Sequence, residues 1–156
     1  AYTGTWGQRA SSGSPLFGDE MHAWDISNPA TPVRTHTLSV EARTVNDVKV
    51  RGDGTLGVLT HEGSNDGLNG VTVLDLSDPA TPVAVSRYTS GLESGVHNVW
   101  IEGDYAYLVV DGNGNGLRVL DLRDPSSPKI VASFYAGSSF LHDVYVRDGI
   151  AQIQDA

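Results

Sequence analysis

Apolar and polar residues alternate along this chain in short runs, each closed by glycine, proline, asparagine or aspartate, and no helix-favouring charged stretch interrupts them. The runs fall into four recurring kinds. One comprises HAWDI (His22 to Ile26), VTVLDL (Val71 to Leu76) and LRVLDL (Leu117 to Leu122). A second comprises VRTHTL (Val33 to Leu38), VAVSRY (Val83 to Tyr88) and KIVASF (Lys129 to Phe134). A third opens on a polar pair: NDVKV (Asn46 to Val50), HNVWI (His97 to Ile101) and HDVYV (His142 to Val146). The fourth follows a turn of Gly and Asp: TLGVLT (Thr55 to Thr60), YAYLVV (Tyr105 to Val110) and IAQI (Ile150 to Ile153). Short β-branched and aromatic runs with this punctuation predict an all-β protein.

Between the first and second kinds lies a repeated phrase: WDISNPATPV (Trp24 to Val33), LDLSDPATPV (Leu74 to Val83) and LDLRDPSSPK (Leu120 to Lys129). Asn28, Asp78 and Asp124 stand before proline, where a side chain that bonds the following backbone starts a turn and helix is disfavoured. A second proline three residues on removes another donor, so the phrase is a rigid connector between strands. Its aspartates, Asp25, Asp75 and Asp121, are 50 and then 46 residues apart. Four strands in a period of about 45–50 residues are the sequence signature of a β-propeller blade.

The blades expected are residues 1–38, 46–88 and 97–134, with an incomplete one at 142–156. The opening AYTGTW (Ala1 to Trp6) is a strand of the fourth kind, so the chain starts and ends on the same kind and holds thirteen strands. Propellers typically close with four to eight blades. About three blades leave strand edges and apolar faces open. The expectation is a single propeller segment that belongs to a longer propeller or is completed by other copies of itself.

The succession LRVLDLRDPSSP, HDVYVRDG and YAYLVVDG resembles the LVIVD-repeat β-propeller family, and the likeness runs through essentially the whole chain three times. The pentamer LVIVD itself is absent, with HAWDI, TVLDL and RVLDL in its place. The resemblance implies a secreted or cell-surface bacterial repeat protein, extracellular in location, with no shared biochemical activity. Members of that family are generally longer, and the first residue here is Ala1 rather than Met.

Composition narrows the picture. A net charge of −9 without a run of Lys or Arg argues against nucleic acid and anionic membrane as partners. No apolar stretch nears the roughly 18–20 residues of a membrane span, and no signal peptide is visible. The chain has no cysteine, so disulfides and thiolate chemistry are excluded, and no N-glycosylation sequon.

Three groups of residues are candidates for chemistry. The polar pairs Asn46-Asp47, His97-Asn98 and His142-Asp143 occupy equivalent positions on what is usually a blade's innermost strand, so repetition gathers them at one channel mouth. Two imidazoles with carboxylates suit a transition metal; the commoner role of such residues, and the leading expectation here, is hydrogen bonding that fixes the blade. Asp111, Asn113 and Asn115 match the start of a calcium loop, although Leu122 stands where the closing carboxylate belongs, and Asn-Gly pairs also make plain hairpin turns. Serines such as Ser11, Ser12, Ser138 and Ser139 lack a nucleophile elbow. Trp100 and Tyr145 are equivalent aromatics, expected to pack between blades.

No acid-base pair has a spacing that demands catalysis. The leading expectation is therefore a non-enzymatic cell-surface module for structural assembly or protein interaction, forming a ring or a filament according to whether its rotation closes. The alternative is a metal-dependent, hydrolase-like enzyme with its site at the channel mouth.

Overall fold

The computed structural model describes residues 1–7, 18–64, 66–110, 116–135 and 141–155. Among them are thirteen strands and no helix, hence no helix long and apolar enough to cross a membrane. The strands form four antiparallel sheets. The first holds β1 (Tyr2–Gly4), β2 (Glu20–Asp25) and β3 (Val33–Ser39). The second holds β4 (Thr44–Val50), β5 (Leu56–Glu62), β6 (Gly70–Asp75) and β7 (Val83–Tyr88), in that spatial order. The third repeats it with β8 (Val96–Glu102), β9 (Tyr105–Val110), β10 (Gly116–Asp121) and β11 (Lys129–Tyr135). The fourth is the pair β12 (Leu141–Arg147) and β13 (Ile150–Asp155).

The connectors fold as their residues dictate. The Oδ1 atoms of Asn28, Asp78 and Asp124 accept the N–H two residues on, at 3.2, 3.0 and 3.1 Å. Asp25, Asp75 and Asp121 do the same three residues earlier, at 2.9, 2.8 and 3.0 Å. Each connector is thus two successive side-chain-closed turns, and prolines fix the angles between them. The hydrogen bonds hold all of these aspartates below the usual carboxylate range, Asp121 at about 2 through its bond to Arg123.

Sheets stack face against face, and this places the core. Leu59, Leu74 and Leu76 of the second sheet cover Met21 of the first. Val58, Val71 and Val73, on its other face, meet Leu108, Leu120 and Leu122 of the third. Val109 and Leu117 then meet Leu141, Val144 and Val146 of the fourth. A middle strand buried on both faces favours apolar residues on both, which is why β6 and β10 are apolar in succession rather than alternating, interrupted only by the buried Thr72 and Arg118. Each of these strands starts on a glycine for a steric reason. A Cβ at Gly70 would lie 2.1 Å from the carbonyl oxygen of Tyr88, and one at Gly116 would lie 2.0 Å from that of Phe134.

Repeat-equivalent positions also tell the end faces from the interior ones. Thr3 stands across from His22 where Leu59 faces Thr72 and Leu108 faces Arg118. Gln152 stands across from Tyr145 where Val58 faces Lys49 and Tyr107 faces Trp100. Gln154 likewise replaces Val109. The outward faces expected to be apolar are therefore partly polar. Some apolar surface does remain: Ile26 is 51% exposed, whereas its counterparts Leu76 and Leu122 are 2% and 0%.

Candidate functional site

The polar pairs sit on β4, β8 and β12, the edge strands by which successive sheets adjoin. Each pair coincides with a break in strand register. Pairing steps from Val45↔His61 to Val48↔Leu59, from Val96↔Val110 to Asn98↔Val109, and from Leu141↔Asp155 to Asp143↔Gln154. One extra residue on the edge strand at each step makes a β-bulge, a device that re-aims side chains. In the third and fourth sheets the extra residues are His97 and His142. The sequence signal was there in the two consecutive polar residues that interrupt alternation.

The bulges bring the first members of the pairs together. Asn46 Nδ2 donates to Glu62 Oε1 at 2.9 Å and to the carbonyl oxygen of His97 at 2.8 Å. It also lies 2.9 Å from His97 Nδ1, which is itself 2.9 Å from Glu62 Oε1. Counting protons resolves the cluster: the two amide hydrogens serve Glu62 and the carbonyl, so His97 Nδ1–H donates to Glu62. The His97 and His142 rings are 4.6 Å apart between centroids and inclined at 58°. Glu62 is the member that strand-by-strand sequence reading missed. It lies at the end of β5, opposite Thr44 at the start of β4, and only the pairing register carries it to the bulge.

The second members do different work. Asp47 Oδ1 accepts from Val48 N–H at 2.8 Å and from Lys49 Nζ at 3.1 Å, while Oδ2 accepts from Val99 N–H on the next sheet at 3.2 Å. That last bond clips the second sheet to the third. Asp143 Oδ1 caps Val144 N–H at 2.7 Å in the same way. Asn98, between them, breaks the pattern. Val99 N–H goes to Asp47 and Val144 N–H to Asp143, so the buried Asn98 Oδ1 has no partner among the described residues. Trp100 meets Tyr145 edge to face at 4.6 Å, across the third and fourth sheets as expected.

Further bonds tie sheet to connector. The Tyr2 hydroxyl donates to the Pro79 carbonyl at 2.9 Å, and Ser86 Oγ to the Pro125 carbonyl at 2.6 Å. In both cases a sheet grips the first proline of the following sheet's connector. A cleft of about 490 Å³ beside the first of these is lined by Tyr2, Trp24, Ile26, Val50 and Pro79.

Asp111, Asn113 and Asn115, and the four serines named above, lie outside the described residues. Among the described residues no three His, Cys, Asp or Glu side chains converge as a metal-holding group. No curated protein matches the chain. The LVIVD repeat does match, over residues 65–90 and 95–135, that is, from the end of the second sheet through the whole of the third. These two segments are LVIVD repeats, and the chain's assignment to that repeat family rests on them.

Proposed function

We propose that the chain is a non-enzymatic β-propeller module for structural assembly or protein interaction, its sheets being blades that accept further blades of the same kind from more chain or from another copy. One observation carries this reading: Ile26 is 51% exposed where Leu76 and Leu122, at the same repeat position, are 2% and 0% exposed beneath a preceding sheet. The Pro29 carbonyl is equivalent to those of Pro79 and Pro125, which preceding sheets grip. Asp143 Oδ2 is equivalent to the oxygen by which Asp47 clips the following sheet.

The polar substitutions at Thr3, Gln152 and Gln154 set the strength of such joining. Interfaces that form and dissolve are more polar than permanent ones. The module therefore associates reversibly. The repeat-family assignment adds the expectation of a place outside the bacterial cell. Light scattering over a range of concentrations tests the assembly: the mean mass rises above the 16.6 kDa of one chain as concentration increases. A folded species of 16.6 kDa at every concentration overturns it.

A further inference from the structure

We propose that His97 and His142 form a two-imidazole site for a divalent transition-metal ion, with Glu62 and Asn46 fixing the orientation of the first histidine. The inference needs only the adjacency of β8 and β12 and stands apart from any question of assembly.

Three features carry it. First, the proton count that puts Nδ1–H of His97 on Glu62, at 2.9 Å, leaves the lone pair on Nε2, the nitrogen that binds metal. A carboxylate on the remote ring nitrogen is the usual support of a metal-ligating histidine, because it fixes the tautomer and raises basicity. Second, Glu62 is itself held, by Asn46 Nδ2 at 2.9 Å, so the support is anchored to the neighbouring strand. Third, the spacing of the rings fits. Two imidazoles bound to one ion at about 2.1 Å, roughly at right angles, have centres about 4.5–5 Å apart. The observed centroid separation is 4.6 Å.

Both rings occupy bulge positions, which the ladder leaves unpaired, and His142 is exposed enough to turn toward an ion. Two nitrogen ligands leave positions to water, an arrangement that suits nickel, copper or zinc better than calcium or magnesium.

Calorimetric titration with Ni²⁺ at neutral pH tests the site. The variants are His97→Asn, His142→Asn, Glu62→Gln and, as a control remote from the bulges, His36→Asn. Asparagine is what the repeat itself places at the equivalent Asn46, and circular dichroism checks that each variant keeps its sheets. The expected result is one Ni²⁺ per chain, with affinity falling at least tenfold in either bulge-histidine variant, less in Glu62→Gln, and not at all in His36→Asn. Absence of binding, or binding that survives in both His97→Asn and His142→Asn, overturns the proposal. An equal loss in His36→Asn does so too.

Discussion

His61 is buried in the stack between the first and second sheets, with Nε2 2.8 Å from Thr72 Oγ1. Burial, and secondarily the positive Arg87 nearby, lower its pKa from 6.5 to about 3. The unfolded chain therefore binds a proton near pH 6.5 that the folded chain refuses until about pH 3. Stability from this group is whole above pH 6.5 and declines as pH falls toward 3, by an amount that reaches about 4 kcal/mol. Urea midpoints measured from pH 7 to about 4 should fall steadily. His61→Val, which installs the residue found at the equivalent Val110, should flatten that slope. A slope unchanged by the substitution contradicts the assignment. Asp47 tests the clip between sheets. Asp47→Ala strands the N–H groups of Val48 and Val99 and should cost about 1–3 kcal/mol in chemical denaturation. The turn-making roles of Asn28, Asp78 and Asp124 were legible in the sequence because they act on backbone two residues away. Glu62 was not, because its place beside His97, 35 positions on and in the next sheet, depends on the register of β5 against β4 and on how the two sheets adjoin.

At the scale of elements, the glycine that opens β6 and β10 is a packing requirement with a measurable consequence. Gly116→Ala drives a methyl group to 2.0 Å from the Phe134 carbonyl and should destabilise by about 1–3 kcal/mol, from strain at a site with no room to relax. Gly52→Ala, with nothing within 4 Å of the added carbon, should stay within about 0.5 kcal/mol of the parent. Thermal melts of the two variants side by side decide this. All thirteen strands and their four kinds could be read from alternation and punctuation, since β-propensity and turn chemistry are local. Boundaries moved by one or two residues, as in β4, which begins at Thr44 rather than Asn46. The polar pairs marked where alternation breaks, but not that the break is a bulge, because an extra residue on one strand is defined only against its partner. The edge strands β7 and β11 carry bulges too, in register breaks at Val73/Leu74 and Val119/Leu120, which twist exposed edges away from indiscriminate pairing.

Over the whole molecule, the stacking rule is tighter in the middle than at the ends. The interior counterparts of Thr3 and Gln152 are the large side chains Leu59, Leu108, Val58 and Tyr107, and Thr60 and Val109 are the buried counterparts of Gln154, whereas Thr3, Gln152 and Gln154 put hydrogen-bonding groups on the end faces. This contrast was hidden in the sequence, because which residues share a face follows from register and not from order. It also makes a prediction: the double variant Gln152→Val, Gln154→Val restores interior character to the last sheet and should raise association at a given concentration by light scattering. The central claim, that further sheets join by the same face-to-face packing that builds the interior, is tested most directly by sedimentation velocity of the native chain beside Ile26→Asp. Ile26 is half exposed, so the substitution spares the folded chain and burdens only an assembled face with a buried charge. The native chain should sediment as a concentration-dependent species heavier than 16.6 kDa, and the variant as a folded species of that mass. Identical sedimentation of the two, at any mass, contradicts the claim.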